Sequence, residues 1–219
     1  VARKKQFRFE QIRINQNVLE PGKELYTTIK GNWRETYFGN NNPIVLELAC
    51  GKGEYTVGLA EHYPHLNFIG IDRKGDRIAR GSTLALEKGL TNVAFLRTDI
   101  HRLLDFFVKD EVAEIWITFP DPQLRIQQAK NRLTHPRFLD LYRAILVDKG
   151  VLHLKTDNED FFEFSLEMLP RNGFSNLIAT RDLYGSELNN LHMGIKTRFE
   201  EIFFAKGFSI KYLQCNKAA

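Results

Sequence analysis

The sequence predicts an α/β fold, a mostly parallel sheet of seven strands with helices on both faces and an antiparallel pair at its C-terminal edge. Three observations carry that expectation. Short apolar runs alternate with helix-period stretches through most of the chain, as strands buried on both faces require. The last two strand-like stretches have no clear helix between them, which suits an antiparallel edge. The composition of the 219 residues, 43% hydrophobic and 26% charged, is that of an ordinary globular protein.

Residues 1–42 read as a basic arm and helical lead-in, ended by the turn-forming run Gly39-Asn40-Asn41-Asn42-Pro43; residues 43–219 read as one α/β domain. The first core strand is the apolar run 44–48, followed by a glycine turn and a helix to about residue 63. Residues 67–72 (NFIGID) form the next strand, and 74–88 an amphipathic helix stopped by Gly89. Strands follow at 93–99, 113–119 and 151–156, with helices at 101–108, 137–146 and 159–169, the last closed by Pro170 and Gly173. Residues 176–184 and 200–212 read as the final two strands. No apolar run approaches the roughly 18 residues that span a bilayer, so no membrane is expected. Cys50 and Cys215 are too few for a disulfide framework and suit a reduced, cytoplasmic setting.

In such a sheet, ligands bind beyond the carboxyl ends of the strands. An acid stands at each of five such places: Glu47, Asp72, Asp99, Asp121 and Asp157. Any one of them could simply cap the next helix; five in register point to a site. The first turn, Glu47-Leu48-Ala49-Cys50-Gly51-Lys52-Gly53, lacks the third glycine of a dinucleotide loop, where Thr56 stands, and lacks the lysine and hydroxyl of a phosphate loop. An acid ending the second strand suits a ribose diol, and an acid beside the first loop suits a positively charged ligand. S-adenosylmethionine meets both conditions, with Asp99 placed to accept from the adenine amine.

These residues carry a family resemblance. Residues 47–55 (ELACGKGEY), Gly70-Ile71-Asp72, Phe119-Pro120-Asp121-Pro122, Thr156-Asp157 and Thr197-Arg198-Phe199-Glu200 stand in the order found in bacterial tRNA (guanine-N7-)-methyltransferases, from about residue 8 to about residue 213. The resemblance implies a Rossmann-like class I methyltransferase fold and methyl transfer from S-adenosylmethionine to N7 of guanosine 46 in the tRNA variable loop. It implies that Glu47, Gly51, Gly53, Asp72, Asp99 and Asp121 contact the cofactor and that Asp121 is catalytic. It further implies that Arg125, Asp157, Thr197, Arg198, Phe199 and Glu200 contact tRNA. The same fold also serves methyltransferases of small molecules or proteins, and a non-catalytic RNA-binding relative is a third reading. Monomer and homodimer both fit.

The chain departs from the family in two places. After Phe119-Pro120-Asp121-Pro122 the family runs tryptophan, proline and a dense set of basic residues. Here Gln123, Leu124, Arg125, Ile126, Gln127 and Gln128 follow, which predicts weaker phosphate contact or an altered tRNA preference. Ala49 replaces a glycine, a change that alanine tolerates if the backbone there avoids positive φ. His101, His135, His153 and His192 lack metal-ligand spacing, so no metal is expected.

The net charge of +4 is a sum of opposed parts. Residues 1–42 carry +4, residues 43–121 carry −3, residues 122–149 carry +4 and residues 150–219 carry −1. An acidic stretch between two basic ones suits a cationic cofactor and a polyanionic substrate.

Overall fold

The computed structural model describes residues 2–192 and 194–218, with the side chains of all of these except residues 2–4 and 192. The side chain of His192, named in the sequence analysis, therefore lies outside the described residues. The chain divides into two compact units, residues 1–108 and 109–219.

The first unit opens with helix α1 (Ala2–Ile14) and the two-residue strand β1 (Val18–Leu19). Lys23 ends α1: its ammonium donates to the carbonyls of Ile12, Asn15 and Val18 at 2.7–2.8 Å, satisfying acceptors that a helix terminus leaves open. A short helix α2 (Leu25–Thr28) and a π-type turn (Trp33–Phe38) follow. Trp33 is buried, donates to the Phe106 carbonyl at 2.9 Å and stacks on Phe107. Then come β2 (Ile44–Leu48), α3 (Glu54–His62), β3 (Asn67–Asp72), α4 (Gly75–Glu87), β4 (Val93–Arg97) and a 3₁₀ turn (Ile100–Asp105). The strands run β1-β4-β3-β2, all parallel, with Leu48 opposite Ile71 and Asp72 opposite Arg97. The carboxyl ends of β2, β3 and β4 therefore share one edge. Their side chains are mostly apolar and are buried on both faces, which is why the strands read as near-continuous runs. The lead-in is built into this unit: Asn15 donates to Ser82 of α4 at 2.7 Å, and Asn17 donates to the Ser82 carbonyl at 3.0 Å.

The second unit contains β5 (Val112–Thr118), a 3₁₀ turn (Ile126–Asn131), α5 (Pro136–Ile145), β6 (Leu146–Thr156), α6 (Glu159–Arg171), β7 (Phe174–Thr180), a 3₁₀ turn (Glu187–His192), α7 (Arg198–Ala205) and β8 (Lys211–Lys217). Its strands run β5-β6-β8-β7, with β5 and β6 parallel and β8 antiparallel to both β6 and β7. The antiparallel end matches expectation, although β8 is inserted between β6 and β7.

Two expectations are corrected. The described residues hold eight strands instead of seven, because β1 is too short to leave a pattern. The stretch 200–212 is not one strand: its first half is helix α7, and the strand starts at Lys211. Among the described residues no helix is long and apolar enough to cross a membrane.

Candidate active site

In the first unit the glycine turn lies between β2 and α3. Its backbone is tied across the sheet by Cys50 N–H donating to the Ile71 carbonyl at 3.0 Å, and it closes through Gly53 N–H on the Cys50 carbonyl at 2.8 Å. Ala49, Gly51 and Gly53 are all left-handed, with φ of 56°, 56° and 69°. The condition under which alanine would be tolerated freely at residue 49 is thus not met. The L side chain there costs roughly 1–2 kcal/mol. A Cβ on Gly53 would lie 2.5 Å from the Phe95 ring, and one on Gly81, midway along α4, only 2.6 Å from the Lys52 carbonyl oxygen. These two glycines let the loop rest directly on α4. A Cβ on Gly51 would meet only the Ala49 carbonyl oxygen, at 4.0 Å, so the loop is open there.

Three acids stand at the strand ends of this unit, each accepting from at least one backbone N–H. Glu47 is buried and takes both the backbone N–H of Thr56, at 2.8 Å, and the Thr56 hydroxyl, in a very short contact. It thereby satisfies an open donor in the first turn of α3, where Gly53 provides no side-chain cap. Asp72, also buried, accepts from Gly51 N–H at 3.0 Å through one oxygen and from Lys74 N–H at 2.8 Å through the other. Asp99 accepts from His101 N–H at 3.0 Å and caps the turn that follows. A carboxylate oxygen has two lone pairs, so each acid that grips the backbone retains acceptor capacity toward a ligand. Burial, with help from Glu47 and Asp72, raises the Cys50 thiol far above its ordinary range, so it stays neutral and packs as a small apolar side chain. An acidic, backbone-braced edge beside an open glycine fits a ligand with ammonium, sulfonium, diol and amine groups.

In the second unit β5 and β6 pair in parallel up to Thr118 and Lys155, so Asp121 and Asp157 both follow strand ends on one edge. Asp121 is exposed and accepts from Gln123 N–H at 3.2 Å. Phe119 and Gln123, on either side of the Pro-Asp-Pro run, have left-handed backbones with φ of 47° and 51°. Such conformations cost about 1 kcal/mol or more each and are concentrated at functional sites. Arg125 is exposed, and the Asp157 carbonyl accepts from Lys211 at 3.3 Å.

The Thr197-Arg198-Phe199-Glu200 run begins α7 as a capping box. The Thr197 hydroxyl accepts from Glu200 N–H at 3.1 Å, and Glu200 accepts from Thr197 N–H at 3.3 Å. Glu200 is fully buried, with Lys155 Nζ, also fully buried, 2.7 Å from its Oε1 and the Tyr184 hydroxyl donating to the same oxygen. Burial and that carboxylate push the Tyr184 phenol far above its ordinary range, so it remains a donor. Glu200, which the resemblance implies as a tRNA contact, has no exposed surface here and holds Lys155, Tyr184 and the start of α7. Phe199 is partly exposed, its ring 5.6 Å from Phe119 and 4.2 Å from Phe203, and Arg198 lies beside it on the surface.

Gly81, Lys155 and Tyr184 were not singled out by the sequence, and Thr56 was noted there only for the glycine it replaces. Lys155, a lone charge inside an apolar strand, and Gly81, a lone glycine inside a helix, were the available signals.

A family model described as a putative methyltransferase matches residues 41–213. The tRNA (guanine-N(7)-)-methyltransferase of Cytophaga hutchinsonii is 45% identical over 216 residues, covering 98% of this chain and 97% of that protein. Its counterpart from Bacteroides fragilis is 47% identical over 186 residues, covering 85% of this chain and 73% of that protein. The chain belongs to the tRNA (guanine-N(7)-)-methyltransferase family. It is an S-adenosylmethionine-dependent methyltransferase. Among solved structures, a 16S rRNA methyltransferase superposes with a TM-score of 0.64 at 15% identity, covering 84% of this chain and 92% of that one. A 16S rRNA (adenine(1408)-N(1))-methyltransferase from Catenulisporales acidiphilia, solved with its cosubstrate, gives 0.57 at 12% identity, covering 84% and 90%. At those identities the likeness concerns the fold alone, and it is the methyltransferase fold that the family resemblance implied.

Proposed function

We propose that this methyltransferase acts on tRNA, at N7 of guanosine 46 in the variable loop, in the cytoplasm. The observation that carries the reading is the acidic, backbone-braced edge of the first unit, in a chain whose match to the tRNA enzymes runs nearly end to end. Glu47, Asp72 and Asp99, with the open face at Gly51, hold the cofactor, which supplies a methyl group already activated on a sulfonium. N7 of guanine has a free lone pair, so no proton must leave before it attacks. The residues then have only to align the base and accommodate charge that moves onto the purine.

Asp121 fits that task. Its carboxylate orients guanine through the N1–H and amino donors and offsets the positive charge the base acquires. The flanking prolines and the left-handed residues at 119 and 123 restrict its backbone. The Phe119 and Phe199 rings offer flat apolar surface to a displaced base, with Arg198 and Arg125 toward phosphates. Glu200, Lys155 and Thr197 hold α7, and with it Phe199, in place.

The test is incubation with methyl-labelled S-adenosylmethionine and total tRNA, followed by nuclease digestion. Label in N7-methylguanosine from the variable loop is expected. Label confined to protein or small molecules, or no transfer at all, would overturn the proposal.

A further inference from the structure

We propose that Leu124 and Ile126 form an apolar wedge that enters the base stack of the tRNA beside the displaced guanosine. The inference rests on the tRNA reading and deepens it.

Ile126 is 89% exposed, the most exposed of the large hydrophobic side chains among the described residues, and Leu124 is 63% exposed. An isolated apolar residue on a surface needs no explanation. These two stand on either side of Arg125, whose backbone is extended (φ −73°, ψ 136°), so two exposed apolar side chains and a guanidinium project from three successive residues. Hydrogen bonds hold the segment that displays them. Gln123 N–H is bound by Asp121, Gln128 N–H donates to the Arg125 carbonyl at 2.8 Å, Arg132 N–H donates to the Ala129 carbonyl at 3.0 Å, and Arg137 donates to Asn131 at 2.8 Å.

The surroundings select the occupant. Arg125 and Lys130 are exposed and make no ion pair among the described residues, while Arg132 lies over the Phe164 ring at 4.7 Å. An apolar pair with one unpaired cation between its members and a second four residues on, in the segment that follows Asp121, suits a ligand that offers both phosphates and flat apolar faces. RNA bases provide those faces. Drawing a base from its stack costs a few kcal/mol, and an apolar side chain filling the gap recovers part of that cost. The wedge also gives the thinned basic run a purpose, since it replaces phosphate contact with contact that salt does not screen.

The test pairs two readouts on the wild-type protein and the Leu124→Ser/Ile126→Ser double variant; both side chains are exposed, so packing is untouched. The first is methyl transfer to a tRNA transcript. The second is fluorescence of a tRNA carrying 2-aminopurine in place of the target guanosine, which brightens on unstacking. The wild type is expected to brighten the probe. The variant is expected to lose the rise and about tenfold in kcat, with the salt dependence of binding unchanged because no charge was removed. A variant with a full rise, wild-type kcat or an altered salt slope overturns the wedge. A wild type that transfers methyl without brightening the probe also overturns it. A wild type that brightens the probe and transfers no methyl upholds the wedge and counts against the functional reading alone.

Discussion

The two units hold the acids proposed for the site in opposite ways. In the first, Glu47, Asp72 and Asp99 are each bound to backbone N–H groups, and two of the three are buried, so acid and loop form one rigid piece. In the second, Asp121 is exposed with one long bond to Gln123, and the buried acid, Glu200, stands behind the surface holding a helix. A small cofactor rewards a preformed site, since ordering a loop at binding subtracts from affinity. A large, flexible RNA is met by exposed groups supported from within.

Removing the support behind the second surface gives the largest effect. Glu200→Ala leaves the buried Lys155 ammonium without its carboxylate, and a loss of about 3–5 kcal/mol is expected, read from the urea midpoint. A variant as stable as the wild type would remove Glu200 from its tethering role. Asp121→Asn separates chemistry from folding. The side chain is exposed, so stability should hold, while kcat falls about a hundredfold with S-adenosylmethionine affinity nearly unchanged by calorimetry. Full turnover would end its assignment as the residue that orients guanine.

In the first unit, Thr56→Val deletes the hydroxyl donor to Glu47 and should cost about 2 kcal/mol, with weaker cofactor binding, since the carboxylate is then under-satisfied. Loss of stability alone, with cofactor affinity intact, would confine Glu47 to capping α3. A smaller change of opposite sign is expected from Ala49→Gly. Relief of the left-handed conformation is partly offset by the entropy of the more flexible unfolded chain, leaving a gain of up to about 1 kcal/mol in thermal unfolding.

The smallest effect is a matter of curve shape. Glu114 is largely buried, which by itself would raise its carboxyl, yet the hydrogen bond and charge of His153, with the Trp116 indole, bring it below the ordinary value. A group lowered in the folded state adds stability above the ordinary carboxyl range and loses it as pH falls through the lowered value. The acid limb of stability should therefore be shallower in Glu114→Gln than in the wild type, by denaturation at a series of pH values.

How far the sequence could be read follows the same division. Strands β2 and β3 were legible to the residue, because parallel strands buried on both faces leave unbroken apolar runs, and the acids ending them marked the edge. Helix α7 was misread because Phe199, Ile202, Phe203 and Phe204 favour strands by type. The capping box from Thr197 to Glu200 was the contrary signal, and it outweighs propensity because it satisfies donors that a strand would not present. The Lys155–Glu200 pair lay beyond pattern, since its members are far apart in the chain and only the β6 register and the start of α7 bring them together. The strain at Ala49 was equally hidden, because a backbone angle is not written in residue type.

Gly81 gives the molecule a vulnerability at a distance from its ligand. No ligand atom need touch that position, yet any side chain there would push the Lys52–Gly53 peptide off its seat. Among descendants of this enzyme, variation at residue 81 should be constrained as tightly as at Glu47 or Asp72. A loss-of-function allele there would present as a cofactor defect with every ligand-facing residue intact.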